Sequence, residues 1–552
     1  DAQESRGLGD VYKRQFFVPA FIMLVLFIIR GIYPFGDRSF LFSDMYHQYM
    51  PFLSEFVHKI KAGEGLFYSY NVGIGSNFLA LYVYYLASPF NWLVFLLPEG
   101  LIMEFMSYLV ILRIGLMGLT FSIYLRKVFG KEDPAALLFS TAYALSGYLA
   151  AYNWNVMWLD CLILLPLILL GAERLVREGK WVMYTVTLGL CILTNYYISI
   201  MICIFLVLYF GMLLITEYYT MTEGQSRKAR IVFGRIGRFA FASLLAGGLA
   251  AVLLIPEVCA ILRTDFGNSD FPGTLESYFS VFDMLARHCL CVTTERGLEH
   301  WPNIYCGVAV FLLVPMYALN EKISVRKRFC NLALAGFLLL SFGTNVLDFL
   351  WHGLNYPDSL PARQSFLYIF LILVMCYDAF RNVEGTSPRQ IIYGYLAAVI
   401  FLLACEKFVE SEDFDTGIEV LTLVFVTIYG VLLYLYRTRK DELTRQVLGI
   451  LVLACIVAEL SINTFNTSLG TTGRSAYLGD QEDYKALYAL TQEQEGDDFF
   501  RIEKFTRKTK NDGTLTGYPT ASVFSSTMNS NVMDLYLSLI HISEPTRLLS
   551  IS

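Results

Sequence analysis

Thirteen apolar runs of 16–24 residues dominate the sequence, at 16–33, 104–125, 134–152, 156–171, 181–197, 198–218, 239–262, 304–319, 329–346, 364–380, 391–406, 417–436 and 447–463. A helix crosses the hydrocarbon of a bilayer with about 20 apolar residues, and no water-facing domain can hide this many such segments. Hydrophobic residues make up 56% of the 552 and charged residues only 16%, against about 25% charged in ordinary globular domains. A net charge of −6 with no dense basic region excludes a nucleic-acid binder. The 11 Cys sit mostly inside apolar runs without a CxxC pair and read as small core residues, not as a metal site or disulfide framework.

A fourteenth apolar run, 78–97, carries Ser88-Pro89-Phe90-Asn91 at its centre, which would interrupt a straight helix. Positive charge decides its place, because short Lys- and Arg-rich loops stay cytoplasmic. The basic loops are Arg126/Lys127/Lys131, Arg174/Arg177/Lys180, Arg227/Lys228/Arg230/Arg235/Arg238, Lys322/Arg326/Lys327/Arg328, Arg381/Arg389 and Arg437/Arg439/Lys440/Arg445. If 78–97 does not cross, all of them share one side. The fold expected is therefore an all-α polytopic membrane protein of about 13 transmembrane helices. Its N-terminus is cytoplasmic, its C-terminus external, and 78–97 is re-entrant or interfacial in the first outer loop.

The ends depart from this texture. Residues 1–15 lack periodicity and Met, and 537–552 are equally unlike what precedes them; both resemble translated adapter sequence and are set aside as non-native. Between them, 16–463 reads as the membrane domain and 464–536 as the incomplete start of a β-containing outer domain.

Ionisable residues inside the bundle need a reason, since a charge near the bilayer centre costs about 2.5–3.5 kcal/mol. Arg113 lies mid-span and requires an anion, either a lipid phosphate or a structural carboxylate. Asp160 sits in the first turn of its helix beside Trp154 and Trp158, as a dipole-favoured cap or a substrate contact. Asn195-Tyr196-Tyr197, on the same outer surface, offers an amide and phenols to a sugar, or an aromatic belt with a cap. Arg363 opposes the dipole at an outer helix start and invites an anionic partner or a lipid headgroup.

The first outer loop is richest. Asp44, in Ser43-Asp44-Met45-Tyr46-His47-Gln48-Tyr49, can act as a general base on an acceptor hydroxyl, or be a solvated acid. Asp44 and His47, three apart, would share a metal only with further ligands. In Asn71-Val72-Gly73-Ile74-Gly75-Ser76-Asn77 the glycines let backbone pass close to a ligand or helix. No Walker A, HExxH, CxxC or GxSxG motif occurs, so ATP-driven and hydrolytic chemistry lack support.

These segments, with Tyr84-Tyr85-Leu86-Ala87-Ser88-Pro89-Phe90-Asn91, Met157-Trp158-Leu159-Asp160, Leu164-Leu165-Pro166-Leu167 and Leu360-Pro361-Ala362-Arg363-Gln364-Ser365-Phe366, resemble the bacterial YfhO family from about residue 16 to 536. That family looks like GT-C glycosyltransferases. The resemblance implies a GT-C-like bundle that transfers sugar from an undecaprenyl-phosphate donor to an envelope polymer such as lipoteichoic acid. It matches Asp44 to the catalytic acid of the first outer loop and Arg113 to a charged residue of the next span. Metal use varies in GT-C enzymes, which leaves a divalent cation open.

The combined expectation is a transferase of the bacterial cell membrane working on the extracellular face. Asp44 is catalytic, Arg113 and Arg363 hold the departing phosphate, and Asp160, Asn195, Tyr196, His47 and Asn77 contact substrate. A lipid or polysaccharide flippase and a non-catalytic scaffold for envelope glycopolymer synthesis are the rivals.

Overall fold

In a bilayer every backbone N–H and C=O must be satisfied within its own segment, which makes apolar runs helical. The computed structural model describes residues 2–130, 133–224, 226–264, 270–357, 359–496, 498–504 and 506–543. Asp1, Lys131, Asp358 and 544–552, on which parts of the sequence reading fall, lie outside the described residues. Each of the thirteen predicted runs contains helix. Nine helices among the described residues are long and apolar enough to cross a membrane, or ten if one bent pair counts as a span. The other four runs hold Val182–Thr194, Val310–Leu319, Val325–Gly343 and Ser365–Arg381, of 13, 10, 19 and 17 residues. The all-α polytopic architecture holds, while the count of thirteen crossings is not met on length and composition. Ser365–Arg381 is buried along almost its whole length and forms the post around which neighbouring helices pack.

The run 78–97 bends sharply at its centre. Helix Phe78–Leu81 passes into a π-helical turn, Tyr82–Leu86, and then a 3-10 helix, Pro89–Leu96, with the two arms bent by 97°. Pro89 has no N–H to continue the first arm. Ser88 starts the second by accepting from the Phe90 N–H at 3.3 Å.

Basic loops gather at one end of the bundle. There Arg381 Nη1 donates to the Phe129 carbonyl at 2.6 Å, Arg437 Nε to the Thr386 carbonyl at 2.8 Å, and Lys322 pairs with Glu384 at 2.8 Å. The first loop lies at the other end, next to Glu104 in the first turn of helix Ile102–Phe129. That helix of 28 residues separates the two ends by about 42 Å at 1.5 Å per residue.

Two segments differ from the sequence reading. The first helix runs unbroken from Ala2 to Ile29 instead of starting after residue 15; Gln15 is buried and accepts from the Ser122 hydroxyl, and the Arg126 guanidinium lies 4.3 Å from the Tyr12 ring centre. The region after 463, expected to contain β-structure, has among its described residues one two-residue strand, Thr472–Gly473, paired antiparallel with Arg38–Ser39. Otherwise it forms helices Arg474–Leu478, Gln481–Glu495, Asp512–Thr516 and Ser530–Ser543 and folds back over the first loop. Arg474 pairs with Glu104 at 2.5 Å, Tyr477 donates to the Tyr46 carbonyl at 3.1 Å, and Thr514 donates to the Asn71 carbonyl at 2.6 Å.

Candidate functional site

Backbone strain marks the two ends of the site. Ser43, immediately before Asp44, has φ +49°, and Ala362, immediately before Arg363, also has φ +49°, with Leu360 at +59°. Left-handed backbone at non-glycine residues costs of order 1–3 kcal/mol and persists where surrounding structure imposes it, often at functional sites. Asp44 then opens a π-helical turn, Met45–Tyr49, and the re-entrant segment carries a second, Tyr82–Leu86. Such turns are rare and concentrate at functional positions.

Asp44 is half-buried, and its Oδ1 accepts from Gln48 Nε2 at 3.3 Å. Burial raises its pKa above the ordinary carboxylate value, partly opposed by Lys510 from the folded-back tail. No salt-bridging cation touches it among the described residues. Arg363 donates from Nη1 to the Tyr197 hydroxyl at 2.7 Å, and from Nε and Nη2 to its own turn, Leu360 O at 3.0 Å and Ser359 O at 2.9 Å. Its guanidinium carbon lies 5.4 Å from the Trp158 ring centre and 5.1 Å from that of Tyr197. No carboxylate pairs with it among the described residues. The turn that Asp44 opens carries Tyr49, whose ring centre lies 5.5 Å from that of Tyr85; Tyr84 lies 4.6 Å from Tyr85 and 6.0 Å from Tyr196, the neighbour of the Tyr197 that Arg363 bonds. An acid and an arginine without a carboxylate partner thus flank one tyrosine cluster.

The tail closes over that cluster. The Ser526 N–H donates to the Tyr85 hydroxyl at 2.8 Å, Asn511 Nδ2 donates to the His47 carbonyl at 2.7 Å, and the Ser530 N–H reaches the Arg263 carbonyl at 3.0 Å, beyond the end of helix Lys228–Ile261. His47 is half-buried with Nδ1 unpartnered among the described residues. Burial and Lys510 lower its pKa against the pull of Asp512. No group of three or more His, Cys, Asp or Glu side chains is placed to hold a metal ion among the described residues.

The remaining predicted residues have these partners. Arg113 meets Asp160 where a lipid phosphate was expected. Its Nε donates to Asp160 Oδ1 at 2.8 Å and its Nη2 to Ser88 Oγ at 2.9 Å, with exposures of 0% for Arg113 and 2% for Asp160. The pair fastens the bend of the re-entrant segment to two helices, Ile102–Phe129 and Leu159–Glu178. Asn195 Oδ1 accepts from the Ile198 N–H at 2.8 Å and Asn77 Oδ1 from the Ala80 N–H at 3.2 Å. Both cap helices through these oxygens. Tyr196 does face the cluster, its ring 6.0 Å from Tyr84.

Sequence reasoning missed Glu257, to which the Tyr196 hydroxyl donates at 3.3 Å, although a carboxylate inside an apolar run was a usable signal. It also missed Tyr84, Tyr85 and Ser526 of the tyrosine cluster, and Lys510, which the tertiary fold brings into the field of Asp44.

ArnT from Cupriavidus metallidurans, in a crystal structure bound to undecaprenyl phosphate, aligns over 96% of this chain and 88% of its own. The identity is 13% and the TM-score 0.39, too distant a likeness to assign anything in the site. The uncharacterized protein YfhO of Bacillus subtilis (strain 168) is 21% identical over 498 residues, 85% of this chain. The chain spans about half, 54%, of that relative's length. Residues 15–548 match the family model described as bacterial membrane protein YfhO, and the chain, with its bundle of apolar helices, belongs to that family of multi-pass membrane proteins.

Proposed function

We propose that this protein is a membrane glycosyltransferase of GT-C type that moves a sugar from a polyprenyl-phosphate donor to a hydroxyl of an envelope polymer, lipoteichoic acid being one such acceptor. The observation that carries the reading is that Asp44 and Arg363, each behind a strained backbone residue, stand at the two ends of one run of packed tyrosines, Tyr49, Tyr85, Tyr84, Tyr196 and Tyr197. Asp44 takes the proton of the acceptor hydroxyl as its oxygen forms a bond to the anomeric carbon. The bond from that carbon to the phosphate oxygen breaks, and the phosphate leaves with the electron pair towards Arg363. A fixed guanidinium aimed at charge that grows in the transition state is the most effective kind of stabilisation a site can supply. Basic loops collect at the opposite end of the bundle, and short basic loops are cytoplasmic. This supports an extracellular site, where a flipped lipid-linked donor is the source of activated sugar.

The test is turnover by the purified protein in lipid nanodiscs, with undecaprenyl-phosphate hexoses and lipoteichoic acid. Release of undecaprenyl phosphate together with labelling of the polymer is the expected result. Movement of the intact donor across a vesicle membrane without cleavage would instead assign a flippase. Arg363→Ala is expected to lower turnover about 100- to 1,000-fold, the usual loss when one transition-state donor is removed.

A further inference from the structure

Three buried acids of this bundle have their charge answered. Glu459 accepts from the Tyr305 and Tyr429 hydroxyls at 2.8 and 2.6 Å and from the Val308 N–H at 2.6 Å. Glu173 pairs with Arg177 at 3.0 Å and accepts from Tyr209 at 3.0 Å. Asp378 pairs with Lys327 at 2.8 Å. Glu257 is different. It is 0% exposed, has one long bond from Tyr196, and its Oε2 has no partner among the described residues. No salt bridge reaches it among the described residues. A carboxylate in an apolar helix with a single long bond is costly, and a functional role is the default explanation.

Its surroundings say which role. Glu257 lies near the end of Lys228–Ile261 that the tail reaches through Arg263, and this helix packs on the re-entrant segment. The Tyr84 ring lies 6.0 Å from that of Tyr196, the donor to Glu257, and the next residue, Tyr197, accepts from Arg363 at 2.7 Å. Tyr84 and Tyr196 are each partly exposed. Two packed phenols therefore stand between the Arg363 turn and a carboxylate whose Oε2 has no partner among the described residues. Carboxylate oxygens accept from hydroxyls, and phenol rings cover the apolar faces of a pyranose.

We propose that Glu257, with Tyr84 and Tyr196, is the subsite that receives the hydroxyl groups of the transferred sugar. The proposal rests on the transferase reading above and deepens it. Arg363 binds the phosphate whether or not a sugar is attached, and Glu257 binds only the sugar.

Binding of undecaprenyl phosphate and of undecaprenyl-phosphate glucose, galactose, mannose and N-acetylglucosamine to the protein in nanodiscs tests this. The wild type is expected to bind at least one loaded lipid more tightly than the bare lipid. Glu257→Gln and Glu257→Ala are expected to weaken that lipid about 10- to 100-fold, the range for hydrogen bonds to a charged group, with bare-lipid affinity unchanged. Unchanged bare-lipid affinity also shows that the variants are folded. Equal affinity of the wild type for loaded and bare lipids, or loaded-lipid affinity unmoved in both variants, overturns the subsite. Loss of bare-lipid binding in both variants overturns it as well, because Glu257 would then be structural. A wild type that binds neither lipid overturns the transferase reading itself.

Discussion

Asp44→Asn is expected to reduce sugar transfer by about 10²- to 10⁴-fold while leaving the affinity for undecaprenyl phosphate unchanged. General-base removal of a proton is worth that much, and the substitution keeps the shape of the side chain and its contact with Gln48. The pH profile carries the same information. Burial holds the Asp44 carboxyl above its ordinary value, and the ionised form is the base. Activity is therefore full at higher pH and is lost as pH falls through the raised pKa. Lys510 works against that rise, so Lys510→Ala should move the acidic limb to higher pH. A profile that does not move, or an Asp44→Asn enzyme with full turnover, would remove Asp44 from the chemistry.

The helical bundle was legible because its signal is local. Apolar runs and alternating basic loops need no knowledge of which helix touches which, and the bend at Ser88-Pro89 was written in the residue types. The site was legible only in part. Asp44 and Arg363 stood out, one as an acid directly after a span, the other as a cation at the wrong end of a helix. The pairing of Arg113 with Asp160 joins residues 47 positions apart, and nothing in either helix alone shows that its charge finds the other. The tail is more remote still. Asn511 reaches His47 across 464 positions and Ser526 reaches Tyr85 across 441. Composition described that segment as polar and outward, but what it covers is decided by tertiary contacts between parts of the sequence with no shared pattern. Short helices blurred the span count for a related reason. A segment such as Val310–Leu319, enclosed by other helices, does not need the length that a lipid-facing helix needs.

The Arg113–Asp160 pair yields the second large expected effect and separates architecture from chemistry at that position. Removing one partner of a buried ion pair leaves a desolvated charge and costs about 3–5 kcal/mol, while replacing both with apolar residues of similar volume is often neutral or stabilising. Arg113→Met and Asp160→Leu should each lower the melting temperature of the protein in detergent sharply. The double variant should recover most of the loss, short of the bond from Arg113 to Ser88. Because the pair sits under the bend that presents Tyr84 and Tyr85, each single variant should also lose donor binding, through displacement of those phenols. The decisive measurement is donor binding in the double variant. If the pair only fastens the bend, binding returns with stability. If Arg113 instead touches the lipid phosphate, the double variant will be stable and still unable to bind undecaprenyl phosphate, because no apolar side chain can replace a cation opposite an anion.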